Sequence, residues 1–332
     1  MSAPLPEPAR FACVTLTTDY GHGSGFVGTL HAVAFRIAPA VRVIDLDNEI
    51  PPQDVRLGAL RMERFMRVAP AGVHVGVVDP GVGGSRRPVA IEAGSHAFVG
   101  PDNGLLTWAA EACARAAGGV DGAGGRGETG KTSAAGESGE AGAAGVRAVV
   151  LDRPEYWLEH RSRTFDGRDV FVPVAAHLAL GATLDQVGTE IDPASLVRLE
   201  RPIVRVRGHA EADVEVLQVD GFGNVQLSGD ETTVTALGLR VGDRLQLSAG
   251  AGAGSSCGLG TYASPNHTQN PPTDTRRAPV EAVYAVTFSD VDEGAAAVLL
   301  DSDGCLALSV NRGRADSLLA ARNAQQLTIK RL

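Results

Sequence analysis

The feature that most constrains the fold is a change of hydrophobic period about two-thirds of the way along the chain. Up to about residue 180, β-branched apolar runs alternate with stretches of helical spacing. Residues 12–18, 41–46 and 73–78 are apolar runs of strand length, and 88–92, 97–100 and 148–151 add shorter ones. Between them, Phe26, Leu30, Val33 and Ile37 recur on one helical face that ends before Pro39. Residues 54–67 carry Leu57, Leu60 and Met62 among Arg and Glu, and 170–180 reads as a helix with Pro173 in its first turn. This alternation predicts an α/β domain with a largely parallel sheet. After about residue 201 the texture changes. Segments 203–207, 212–220, 224–228, 240–248, 280–288 and 295–310 are short, rich in Val and Leu, and broken by Gly and Asp. Ser302-Asp303-Gly304 interrupts the last of them as a hairpin turn. A smaller all-β, barrel-like domain is expected there. The predicted organisation is an α/β domain over 10–190 and a β-barrel-like domain over 200–332, with 184–202 joining them.

Residues 118–145 and 248–277 are poor in large apolar side chains and predict two flexible surface insertions. The charge balance removes whole classes of partner. Thirty Lys and Arg face 39 Asp and Glu, a net charge of −9, which argues against a nucleic-acid binder. No apolar run approaches the ~20 residues that span a bilayer. The opening MSAPLPEPARFACVTL lacks the charged and apolar regions of a secretory leader. Four scattered cysteines, Cys13, Cys113, Cys257 and Cys305, form no CxxC and suit a reducing cytoplasm. They read as buried structural thiols. None of the eight histidines pairs at i, i+4, so neither thiols nor imidazoles suggest a metal site. GxSxG and HExxH are both absent.

In open α/β sheets ligands bind beyond the carboxyl ends of strands. The first strand ends at Asp19, followed by the Gly-rich run 20–25, which matches neither GxGxxG nor a P-loop. Asp19 suits a sugar diol as a hydrogen-bond acceptor; it equally suits a turn cap. The strand at 73–78 ends in Asp79, and Arg86 returns seven residues later across a Gly-rich turn. That pair is either an ion pair tying down the loop or a device that activates water, the carboxylate accepting its proton. Pro101-Asp102-Asn103-Gly104 is a turn signature. Asp166 and Asp169 precede a helix and suit its dipole. In the second domain, Asp220-Gly221-Phe222-Gly223-Asn224 is either a hairpin turn with a core Phe or an aromatic and an amide left open to a base.

These strings together resemble the S-adenosylmethionine hydroxide adenosyltransferase family, whose relatives include the fluorinase and chlorinase. The resemblance runs from about Thr15 to Leu319 through TLTTDYG, FVGTLHAV, IAPAVRVIDLDNEIPPQDVRLGA, VHVGVVDPGVGGSRR, FVGPDNGLLT, TFDGRDVFVPVAAHLALG, VDGFGNV, TFSDV and DSDGCLALSVNRGRA. It implies hydrolysis of S-adenosyl-L-methionine to adenosine and L-methionine, by in-line attack of hydroxide on the ribose 5′-carbon. It implies no cofactor, S-adenosyl-L-methionine being the substrate. It also implies a cytoplasmic homotrimer with sites between one subunit's N-terminal domain and a neighbour's C-terminal domain. Carried over by motif position, Asp79, Arg86 and Asp166 form the water-activating triad. Asp19 holds the ribose hydroxyls, Phe222 and Phe288 sandwich adenine, and Asn224 reads its edge. Asp220 and Ser302 take the amino-acid end of the methionine.

This chain departs from the family pattern in four places. The hydrolases usually carry His where Asp166 stands, and an acidic residue where Ser24 stands. Asn48 stands where His is common, and Asp303 replaces a neutral or basic residue beside Ser302. Fluorinases place an uncharged Tyr at the Asp79 position and Ser at the Gly167 position; chlorinases share that Tyr but keep Gly. Asp79 therefore argues for hydroxide over a halide, which a carboxylate would repel. Two alternatives to hydrolysis stay open: a catalytically weak protein binding S-adenosylmethionine or adenosine, and a halogenase.

Overall fold

The computed structural model describes residues 9–120, 145–249, 278–319 and 321–332. The chain divides into two compact units, Met1–Leu199 and Glu200–Leu332.

The first unit is a seven-stranded sheet in the order β2-β1-β3-β5-β4-β6-β7. The strands are β1 (Cys13–Thr18), β2 (Arg42–Asp47), β3 (Val73–Val77), β4 (Pro88–Ala93), β5 (His96–Pro101), β6 (Val146–Val150) and β7 (Thr189–Ile191). The β2-β1-β3-β5 half pairs in parallel, and β4, β6 and β7 add antiparallel ladders. Helices α1 (Phe26–Ile37), α2 (Val55–Phe65), α3 (Thr107–Val120) and α4 (Val172–Leu180) cover the faces, and α5 (Leu184–Val187) is a single turn. The two-residue strand period assigns each face its cover. Val73, Val75 and Val77 join Leu16, Leu30 and Val174 in one core. A Cβ on the intervening Gly76 would instead meet Met62, Leu105 and Leu106. The segment 184–202 is not simply a connector, because β7 adds an edge to this sheet. The predicted insertion at 118–145 begins inside α3, which continues to Val120; its remaining residues 121–144 lie outside the described residues, as do 250–277 of the second insertion. Cys13 and Cys113 are buried free thiols and Cys305 is partly buried; Cys257 lies outside the described residues.

His74 also faces the second layer. It is fully buried, its Nδ1 lies 2.9 Å from the Thr15 hydroxyl, and its Nε2 lies 2.9 Å from His96 Nδ1. Burial, and then the neighbouring His96, lower its pKa to about 3. A histidine held neutral in the fold contributes stability that is lost as pH falls from about 6.5 toward 3, because the unfolded chain binds the proton first. His74→Phe is therefore expected to flatten the loss of stability between pH 7 and 4, measured by chemical denaturation. A loss as steep as in the unmodified chain contradicts this.

The second unit is a closed barrel. Its strands are β8 (Val204–Arg207), β9 (Glu211–Val219), β10 (Val225–Asp230), β11 (Arg244–Ala249), β12 (Val280–Tyr284), β13 (Ala296–Leu300), β14 (Cys305–Val310) and β15 (Gln326–Arg331). The order β10-β14-β13-β12-β11-β15-β9 closes because β9 also pairs with β10, and β8 extends the sheet from β9. Among the described residues, β12–β13 is the one parallel pairing of this unit. Alternate residues such as Val214, Val216, Leu245, Leu247, Leu306, Leu308, Leu327 and Ile329 fill the interior. The described residues of this unit also form the helices α6 (Glu231–Leu237) and α7 (Asp316–Leu319). The Ser302-Asp303-Gly304 turn is the predicted hairpin: Leu300 pairs with Leu306, and Gly304 takes φ 74°. Among the described residues no helix is long and apolar enough to cross a membrane.

Candidate active site

Strand register brings the first two carboxylates together. In the parallel β1–β3 ladder Thr18 lies opposite Val77, so Asp19 and Asp79 both leave the sheet at its carboxyl end. Asp19 ties its loop to the segment before α2. Its Oδ2 accepts the backbone N–H of Gln53 at 2.9 Å, and burial raises its pKa above the ordinary carboxylate range. Gln53 sits in the left-handed region at φ 67°, an uncommon conformation for a residue with a side chain.

Asp79, Arg86 and Asp166, joined in the sequence by the family resemblance alone, lie together in the structure. Arg86 Nε lies 3.1 and 2.9 Å from the two Asp79 oxygens, and its Nη2 donates to both Asp79 Oδ2 and Asp166 Oδ2 at 2.5 Å. The three side chains are only 5%, 11% and 2% exposed, so the charges interact with little screening. Burial alone would lower the Arg86 pKa, but hydrogen bonds and charge from Asp79 and Asp166 outweigh it and hold the guanidinium above its ordinary value. The Gly-rich turn permits this closure. Gly83 has φ +76°, and a Cβ there would lie 2.6 Å from the Arg163 carbonyl.

Asp166 reaches the cluster through an unusual helix start. The chain makes a π turn over Gly167–Phe171 before α4, a deviation that recurs at functional sites. Pro173 has no N–H to give the Asp169 carbonyl, and the N–H of Leu158 fills that role at 2.9 Å. This stitches the preceding loop onto the helix and presents Arg161. Its Nε and Nη2 both lie 3.0 Å from Asp166 Oδ1. Asp166 therefore serves two arginines and makes no cap hydrogen bond.

Tyr20 closes the same space. Its ring packs edge-on against Phe26 and Phe165, at 5.6 and 5.5 Å between centroids. Burial and the charges of Asp19, Asp79 and Asp166 raise its pKa, so it stays a phenol and a donor. Its hydroxyl lies 2.5 Å from where a Cβ on Gly167 would stand. Gly167→Ser is thus expected to cost about 1–3 kcal/mol through overpacking, and Tyr20→Phe, which removes that oxygen, to recover most of it. Thermal melts of the two single variants and the double variant check this; losses that merely add would show that the phenol is not the obstacle.

In the second unit, four of the five predicted residues line one cavity of about 520 Å³: Asp220, Asn224, Phe288 and Ser302. Phe222 stands in the adjoining turn, 81% exposed, and is not a core residue. The turn is held by Asp220. Its Oδ1 accepts the N–H groups of Phe222 and Asn224, and its Oδ2 accepts the Asn224 amide, at 2.8–2.9 Å. That bond leaves the Asn224 carbonyl oxygen available as an acceptor. The sequence reading missed Gln226 and Asp301, and named Asp303 only as a departure from the family pattern. Gln226 follows Asn224 by one strand period and lines the same cavity, and its amide donates to both aspartates. Arg161 and Tyr20 were missed as well, although each lies within six residues of a predicted site residue.

Buried carboxylates bracketing a guanidinium at the carboxyl end of a parallel sheet, with a separate barrel carrying a polar cavity and exposed aromatics, define a two-domain small-molecule enzyme architecture. Family models place it further: the SAM hydroxide adenosyltransferase N-terminal domain matches residues 14–121 and 132–188, and the C-terminal domain matches 214–328. The chain belongs to this family. It is 39% identical over 319 residues to the (R)-S-adenosyl-L-methionine hydrolase of Salinispora arenicola, covering 95% of this chain and 97% of that one. It is 26% identical over 328 residues to the fluorinase of Nocardia brasiliensis, covering 91% of each. A crystal structure of an uncharacterized conserved protein from Thermotoga maritima superposes with a TM-score of 0.73 at 28% identity, over 96% of this chain and all of that one.

Proposed function

We propose that the chain hydrolyses S-adenosyl-L-methionine to adenosine and L-methionine. The observation that carries this reading is the buried Asp79 carboxylate, held by Arg86 where a strand opens into solvent. The sulfonium leaves as a neutral thioether, so the reaction needs no general acid and no cofactor. What the site must supply is orientation, exclusion of bulk water and one activated oxygen. Asp79 accepts a proton from water as its oxygen attacks the ribose 5′-carbon, opposite the departing sulfur. Arg86 steadies the anion formed, and Tyr20 offers a hydroxyl to the same oxygen.

Asp19 accepts from the ribose hydroxyls. Phe222 and Phe288, both exposed, sandwich the adenine, and the Asn224 carbonyl accepts from its amino group. Asp220 and Ser302 take the amino-acid end. In this reading the complete site joins one subunit's first unit to the second unit of a neighbour, in a cytoplasmic homotrimer without nucleic-acid or membrane partners. Exposure of both aromatics in the isolated chain supports it, because an adenine slot needs a second wall. The fluorinase relative favours a halogenase as second reading, but a carboxylate at position 79 opposes an incoming halide.

Incubation with S-adenosyl-L-methionine followed by chromatography tests the reading. Release of adenosine with or without halide supports it. A halogenated nucleoside formed only with halide, or tight binding without turnover, overturns it.

A further inference from the structure

We propose that Arg161 is a positioning residue for the hydrolytic site: it neutralises Asp166 and fixes it as a strut for Arg86, leaving Asp79, the carboxylate with a single arginine partner, to take the proton. The inference rests on the hydrolase reading above. It starts from the unequal use of the two carboxylates. Both oxygens of Asp166 are committed, Oδ1 to Arg161 at 3.0 Å and Oδ2 to Arg86 at 2.5 Å. Among the described residues Asp79 has Arg86 as its single charged partner, which engages both its oxygens through one edge of the guanidinium. An isolated Asp-Arg-Asp set would carry a net negative charge in a site that must gather hydroxide character. Arg161 completes an alternating Asp79–Arg86–Asp166–Arg161 chain whose formal charges cancel.

Arg161 is built for this role. Its guanidinium lies 4.8 Å over the Trp157 ring, which limits its freedom. The loop that carries it is anchored to the helix start by the Leu158 N–H on the Asp169 carbonyl and the Ser162 N–H on the Asp169 carboxylate. Asp166 is 2% exposed while Arg161 is 39% exposed, so the arginine brings compensating charge from the rim to a carboxylate that water does not reach. Its described contacts are with Asp166 and the Trp157 ring, and so it acts through Asp166 and Arg86.

The test is steady-state kinetics on the full chain, after the unmodified enzyme is shown to release adenosine. Arg161→Gln is expected to lower kcat at least tenfold with KM within twofold. Arg161→Lys, which keeps the charge, should stay within threefold of the unmodified enzyme. In an Asp166→Asn background, where there is no charge to neutralise, Arg161→Gln should have no further effect. Should Arg161→Gln prove insoluble, Arg161→Met takes its place in the same comparison, and Arg161→Lys in both backgrounds provides a second reading. A kcat within twofold for Arg161→Gln, a change confined to KM, or losses that multiply in the Asp166→Asn background overturn the proposal. Failure of the unmodified enzyme to release adenosine would instead strike the hydrolase reading itself.

Discussion

Asp79→Asn leaves the protein folded and able to bind S-adenosyl-L-methionine but lowers its turnover by about 10²–10⁴-fold, the range over which a positioned general base acts. The amide keeps the size and shape of the carboxylate and still accepts a hydrogen bond from Arg86. It cannot accept a proton from water. Arg86 remains balanced by Asp166 across a 2.5 Å contact, so the substitution creates no uncompensated buried carboxylate. Binding draws on groups elsewhere in the proposed site: Asp19 at the end of β1, and Asn224, Phe288 and Ser302 in the barrel cavity. Adenosine release measured beside calorimetric binding separates the two effects. Turnover within threefold of the unmodified enzyme would remove Asp79 from the reaction. Loss of binding in parallel with turnover would reassign it to holding substrate.

The parts of the site that lie on periodic structure were legible in the sequence. Asp19 and Asp79 each follow an apolar strand, and a parallel pairing of those strands places them side by side without further information. Asp166 was legible as a residue at a helix start, but its direction was not. The π turn that aims it away from a capping position depends on Pro173 and on Leu158 supplying a distant N–H, and neither leaves a periodic trace. Arg161 sits in a non-repeating loop, where five residues of separation do not fix a contact. In the barrel, the Asp220–Asn224 segment offered two readings, and the structure combines them: a turn organised by Asp220, with Phe222 outside the core. Two of the elements that escaped notice did so for opposite reasons. The strand Gln326–Arg331 carries only Leu327 and Ile329 as its inward pair, a pattern too short to stand out. The helix Glu231–Leu237 is rich in β-branched Thr and Val, which favour strands; a capping box at Asp230 and a left-handed Gly238 impose the helix instead.

Arg86→Met combines a loss of activity with a loss of stability, and the second carries the sharper test. Removing one partner of a buried ion pair costs about 3–5 kcal/mol, because the charge left behind has lost both water and its counter-ion. Here two carboxylates depend on the same guanidinium, and Asp79 has no other charged partner among the contacts described. Arg161 continues to balance Asp166, so Asp79 bears most of the deficit. Arg86 has its pKa raised in the fold, so its own contribution is fully present below the ordinary arginine value and does not change across the working range. Urea denaturation of the two proteins at neutral pH should therefore show a gap of several kcal/mol. Arg86→Lys should keep most of the stability, since a single charge suffices for that, yet stay well below the unmodified enzyme in turnover, because an ammonium lacks the planar fork that engages Asp79 and Asp166 together. An Arg86→Met variant as stable as the unmodified protein would mean that Arg86 holds the loop through packing on Phe171, 5.4 Å below its guanidinium, and not through charge.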